Sequence, residues 1–170
     1  MRKLALTFIC ALVFAAAAMA QKTAFGIYGQ PGGNGSGWEN VVSLGTGISI
    51  VDEYDLPPLL LTYTLQYGFD SNAYAGVSVG SVILDDKDMY YEARIMATGG
   101  WSLPVGNNAL FFQGNTGFSL CEFEEFAATF DLLLGFRFNF SNGMGMNISS
   151  GLSGTYDWWI GVPINLSIVF

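Results

Sequence analysis

Fourteen acidic side chains, six basic ones and no histidine set the chemistry open to this 170-residue chain. A Ser-His or Cys-His nucleophile needs an imidazole as its general base, so neither arrangement is available. Cys121 reads as a structural thiol, because the other cysteine, Cys10, falls in the leading segment and leaves it without a disulfide partner. The glycine-rich run from Gly32 to Gly37 lacks the Lys-Ser/Thr pair of a phosphate loop. The sequence therefore offers no catalytic residue, and a membrane-embedded enzyme is the weakest reading of it. Carboxylates remain. Asp52, Glu53 and Asp55, then Asp85, Asp86 and Asp88, then Glu122, Glu124 and Glu125 form three clusters. Their oxygens suit weak calcium or magnesium binding, although no EF-hand spacing is present and a solvated charged rim explains them more simply. Glu92, Arg94, Asp131 and Arg137, two of each sign, form a fourth group. They fall on the polar side of alternating segments, where an ion-pair plug or the polar filter of a pore could be built.

These residues sit on segments with a repeat of two, the period of a β-strand. Such blocks run at about 41–51, 58–69, 73–84, 89–103, 109–121, 126–140, 144–154 and 158–170, separated by turn formers. One face of each block is bulky and apolar, as in Leu59, Leu61, Tyr63, Leu65 and Tyr67 or Leu132, Leu134, Phe136 and Phe138. The other is small and polar, as in Ser43, Gly45, Gly47 and Ser49. Eleven strand glycines lie on the polar face, against Gly99, Gly114 and Gly154 on the apolar one. A tightly curved sheet leaves little room on its concave side, so the polar face is the interior and the apolar face points outward. An outward apolar wall fails in water and suits lipid. Half the residues are hydrophobic, yet after the leading segment no apolar run is long enough for a membrane helix, so a membrane-spanning fold must be a closed sheet. The fold expected is all-β: a closed, antiparallel, up-and-down transmembrane β-barrel of eight strands, with ten as the alternative division.

Residues 1–20 have the form of a signal peptide, with Arg2 and Lys3 before an apolar stretch and Ala18-Met19-Ala20 as the cleavage site. Residues 21–40 hold six glycines and read as an N-terminal extension, leaving 41–170 for the barrel. Without Arg2 and Lys3, four basic residues face fourteen acidic ones, a net charge of 4 − 14 = −10 that argues against nucleic acid as a partner. Short links at 70–72, 104–108 and 141–143 mark the periplasmic end. The four other links carry ten of the fourteen acids and face outward.

The last nine residues, Val162-Pro163-Ile164-Asn165-Leu166-Ser167-Ile168-Val169-Phe170, place apolar side chains at every second position before a final aromatic. This resembles the C-terminal signal by which outer-membrane barrels are recognised, which implies that Ile164, Leu166, Ile168 and Phe170 engage a barrel-assembly machinery. The order Val42-Ser43-Leu44-Gly45-Thr46-Gly47, Gln66-Tyr67-Gly68-Phe69, Ala75-Gly76-Val77-Ser78-Val79-Gly80 and Leu134-Gly135-Phe136-Arg137-Phe138 resembles the small OmpA/OmpX-like barrels of Bacteroidota-type bacteria, sometimes grouped as porin-family proteins. The resemblance covers roughly 41–170. It implies residence in the bacterial outer membrane among its lipids, and a structural or interaction role through an acidic extracellular rim above a plugged interior. A narrow, porin-like channel for small solutes is the alternative.

Overall fold

Alternation with period two forces successive side chains to opposite faces of an extended chain, and each alternating block forms a strand. The computed structural model describes residues 37–50, 57–69, 71–85, 89–122, 124–141, 143–157 and 159–170. The expected signal peptide, residues 21–36, and Asp52, Glu53, Asp55, Asp86 and Asp88 lie outside the described residues. The strands are β1 (Gly37–Ser49), β2 (Leu59–Gly68), β3 (Ala73–Asp85), β4 (Met89–Val105), β5 (Asn108–Cys121), β6 (Glu125–Asn139), β7 (Gly145–Thr155) and β8 (Trp159–Val169). Each pairs antiparallel with its sequence neighbours, and β1 pairs with β8 from Val41↔Val169 to Ser49↔Gly161, closing the barrel. Eight strands with both sides of β1 occupied exclude the ten-stranded division. The shortest, β2, has 10 residues. At about 3.3 Å per residue and a tilt of about 40° it covers about 25 Å of depth, the height of a hydrocarbon band.

The turns follow local chemistry. Val105 and Asn108 are paired, so the β4–β5 link shrinks to Gly106-Asn107. Gly106 has φ +62°, the left-handed conformation that a type II′ hairpin requires of its first central residue. The β7–β8 ladder runs from Gly145↔Val169 to Thr155↔Trp159 but skips Gly151 and Leu152, which lie opposite Pro163 and Val162. A proline has no N–H to give the ladder there.

The faces point as the glycines require. Phe126 is 81% exposed, Ile48 73% and Leu134 63%, while Ser78, Thr129, Ser153 and Thr155 are fully buried inside. A β-carbon on inward Gly76 would fall 2.1 Å from the Leu65 carbonyl, and one on Gly117 2.0 Å from that of Ile95, whereas outward Gly99 and Gly114 have room. Curvature therefore demands glycine on the concave side.

Two expectations need correction. The barrel does not begin at Val41: residues 37–40 belong to β1 and pair with Leu65–Gly68. Trp38 packs edge-on against Tyr67 outside, and Asn40 exchanges main-chain hydrogen bonds with Phe170 at the seam. The interior is also less uniformly small and polar than alternation implied. Leu60, Val82, Met96, Phe111, Leu133 and Trp159 are buried on the inward parity, filling space that the glycines vacate. Phe111 lies over Gly135, where a β-carbon would meet its ring at 2.4 Å, and Tyr74 lies over Gly100 in the same way.

Candidate functional site

Inward residues of β4, β6 and β7 bring the first charged network together in the half of the barrel nearest the acidic links. Arg94 Nε donates to Glu92 Oε2 at 3.0 Å, and its Nη1 lies 3.5 Å from Asp131 Oδ1. Arg94 Nη2 donates to the Thr155 hydroxyl at 2.9 Å, and that hydroxyl donates to Glu92 Oε2, also at 2.9 Å. Asp131 is further held by Asn115 Nδ2 at 2.8 Å and by the Ser153 hydroxyl. The Arg94 guanidinium also sits 5.1 Å from the centre of the Trp159 ring, within cation–π range. Trp159 packs with Leu60 and Val82, an apolar cluster beside the charges. Burial at this depth requires such pairing, because an unpartnered ion in a medium of low polarity is strongly penalised.

Arg137 does not join this group. Its Nη1 meets both oxygens of Glu39 at 3.0 Å, and its Nε donates to Asn147 Oδ1 at 3.1 Å. Gln66 Nε2 donates to Glu39 Oε2 at 2.8 Å. The expected cluster of two acids and two bases is thus two separate networks. Arg94 with two carboxylates lies toward the acidic links, and Arg137 with Glu39 lies toward the opposite end and Phe170. Glu39 was missed because the glycines before it suggested an extension. The signal was present: Trp38 has the outward parity of Val42 and Leu44, and Glu39 the inward parity of Ser43.

A cavity of about 40 Å³ lies between the networks, lined by Arg94, Asp131 and Ser153 at one end and by Asn147 and Phe111 at the other. Thr64, which lines it, starts a hydroxyl ladder to Ser78 at 2.7 Å and on to Thr98.

Of the rim carboxylates, Glu122, Glu124 and Glu125 gather at the β5–β6 turn and are exposed. Asp85 closes β3. Among the described residues, no group of three or more His, Cys, Asp or Glu side chains is placed to hold a metal ion. Cys121 is buried and free, its sulfur 3.3 Å from the Ser119 hydroxyl. Ile164, Leu166 and Ile168 line the outer face of β8, and the Phe170 carbonyl accepts from Asn40 Nδ2 at 3.3 Å.

No family model matches the sequence, and no curated protein matches it. Solved structures do resemble it. Neisserial surface protein A (NspA) superposes with a TM-score of 0.56 at 7% identity, covering 79% of this chain and 97% of the other. A de novo designed transmembrane β-barrel aligns at 14% identity and a TM-score of 0.48 over 85% of this chain and all of the design. The Yersinia pestis outer membrane protein Ail aligns at 17% identity and a TM-score of 0.47 over 79% of this chain and all of Ail. At 7% identity the likeness to NspA is one of architecture: this chain has the fold of a small, eight-stranded outer-membrane β-barrel.

Proposed function

We propose that this chain resides in the bacterial outer membrane as a barrel closed by its own interior side chains, with a structural or interaction role carried by its acidic extracellular rim. The observation that carries this reading is the pair of buried ion-pair networks, with a cavity of about 40 Å³ between them. Eight strands leave a lumen that side chains fill, and here the fill is charged, hydrogen-bonded and braced by Trp159, Phe111 and Tyr74. The outward belt of Phe, Leu and Ile matches lipid, and Glu122, Glu124 and Glu125 add negative charge at the end where β5 meets β6. The rim is the surface offered to an external partner, and weak Ca²⁺ or Mg²⁺ association there is part of the same proposal. The protein's task on this reading requires no bound cofactor and no catalytic residue. Planar-bilayer recording of the purified barrel tests it: no single-channel steps are expected, and reproducible steps would favour the narrow-channel reading.

A further inference from the structure

We propose that the lumen is closed twice in series, by two ion-pair septa that each suffice alone, and that the cavity between them is an occluded, hydrated chamber. This rests on the closed-lumen reading above. The two networks share no residue. Arg94 Nε, Nη1 and Nη2 are held by Glu92, Asp131, Ser153 and Thr155, and Arg137 Nε and Nη1 by Asn147 and Glu39. They stand toward opposite ends of the barrel. Glu92 faces Cys121 at the end of β5 beside the acidic β5–β6 link, whereas Glu39 lies two residues inside the start of β1, near Phe170. Each is backed by its own bulk: Trp159, Leu60 and Val82 beside Arg94, and Phe111 over Gly135 on the strand that carries Arg137. The wall between them carries the Ser43, Thr62 and Thr64 hydroxyls together with Asn115, Ser149 and Asn165. A cavity of about 40 Å³ with both polar and apolar walls takes about three waters, at roughly 10–15 Å³ of accessible volume each. Water there satisfies the wall, while an ion arriving from either side meets a paired guanidinium that must first be unpaired.

The test uses the barrel in planar bilayers with each arginine removed together with a carboxylate partner; in E92A/R94A, Asp131 keeps its hydrogen bonds from Asn115 and Ser153. The variants are E92A/R94A, E39A/R137A and the four combined, each verified as folded by its heat-dependent electrophoretic shift. Each also carries Ser149→Cys in a Cys121→Ser background, so that Ag⁺ reports access to the chamber. Neither paired variant should conduct. In E92A/R94A, Ag⁺ should reach position 149 from the outer side only, and in E39A/R137A from the opposite side only. The combined variant should conduct. Steps in either paired variant, silver access from both sides or from neither, or a folded combined variant that stays silent would overturn the series closure. The paired variants decide the matter even where the combined one does not fold. Steps in the unaltered protein would instead overturn the closed-lumen reading itself.

Discussion

Glu39→Ala isolates the value of the septum near Phe170. It removes both contacts at 3.0 Å to Arg137 Nη1 and the acceptor of Gln66 Nε2, leaving Arg137 with Asn147 Oδ1 as its partner. Removing one member of a buried pair costs about 3–5 kcal/mol, because the remaining charge stays desolvated. The two side chains here are 10% and 17% exposed, so water relieves part of that cost and the lower bound, about 3 kcal/mol, is expected. Arg137→Met should also destabilise, by exposing Glu39 to the reverse problem. The double variant E39A/R137M removes both charges and should recover most of the loss, with a coupling energy of about 2 kcal/mol. Urea unfolding of the barrel in lipid vesicles, followed by tryptophan fluorescence, measures all four corners of the cycle. A loss below about 0.5 kcal/mol in Glu39→Ala, with additive single effects, would mean that the pair carries no structural weight.

Leu132 is 48% exposed at the centre of β6, so Leu132→Arg should cost roughly 2–4 kcal/mol in the same assay. A cysteine there should react only with a lipid-soluble reagent, and silence to every reagent would make the apolar face a core. Gly135→Ala should cost about 1–3 kcal/mol, since the new methyl meets the Phe111 ring at 2.4 Å and the Ile148 carbonyl at 2.6 Å. Adding Phe111→Ala should return only the part owed to the ring, and full recovery would show that the carbonyl contact is harmless. Deleting Phe170 should leave a processed, protease-sensitive chain outside the outer membrane, and a normal heat-modifiable barrel after deletion would refute its role in recognition.

Seven of the eight strands begin and end within two residues of the alternating blocks, because a repeat of two is a local property that neighbouring strands reinforce rather than override. The start of β1 was hidden by glycines on its N-terminal side, whose composition spoke louder than the alternation of Trp38, Glu39 and Asn40. Trp159 shares the inward parity of Gly161 and Ser167 within β8 itself. The apolar residues of the lumen were legible as inward by parity. Their purpose was not, since the match of Phe111 to Gly135 and Tyr74 to Gly100 depends on cross-strand neighbours that no single strand contains. The charged residues were identified singly, but their division into two networks required the register.

The seam between β1 and β8 has a consequence in time. Asn40 and Phe170, which bond across it, are 130 residues apart in sequence, and Ser43 and Ser167 are 124 apart. Contacts of such separation form slowly, after the loop entropy of nearly the whole chain has been lost. Until that final pairing, β1 and β8 each present an open row of amides beside apolar side chains, the arrangement most prone to pair with the wrong partner. Folding therefore cannot finish before β8 has been made. The finished polypeptide must be kept from aggregating until the seam closes, and its rate of maturation should depend on how fast the two end strands meet more than on the formation of any hairpin between them.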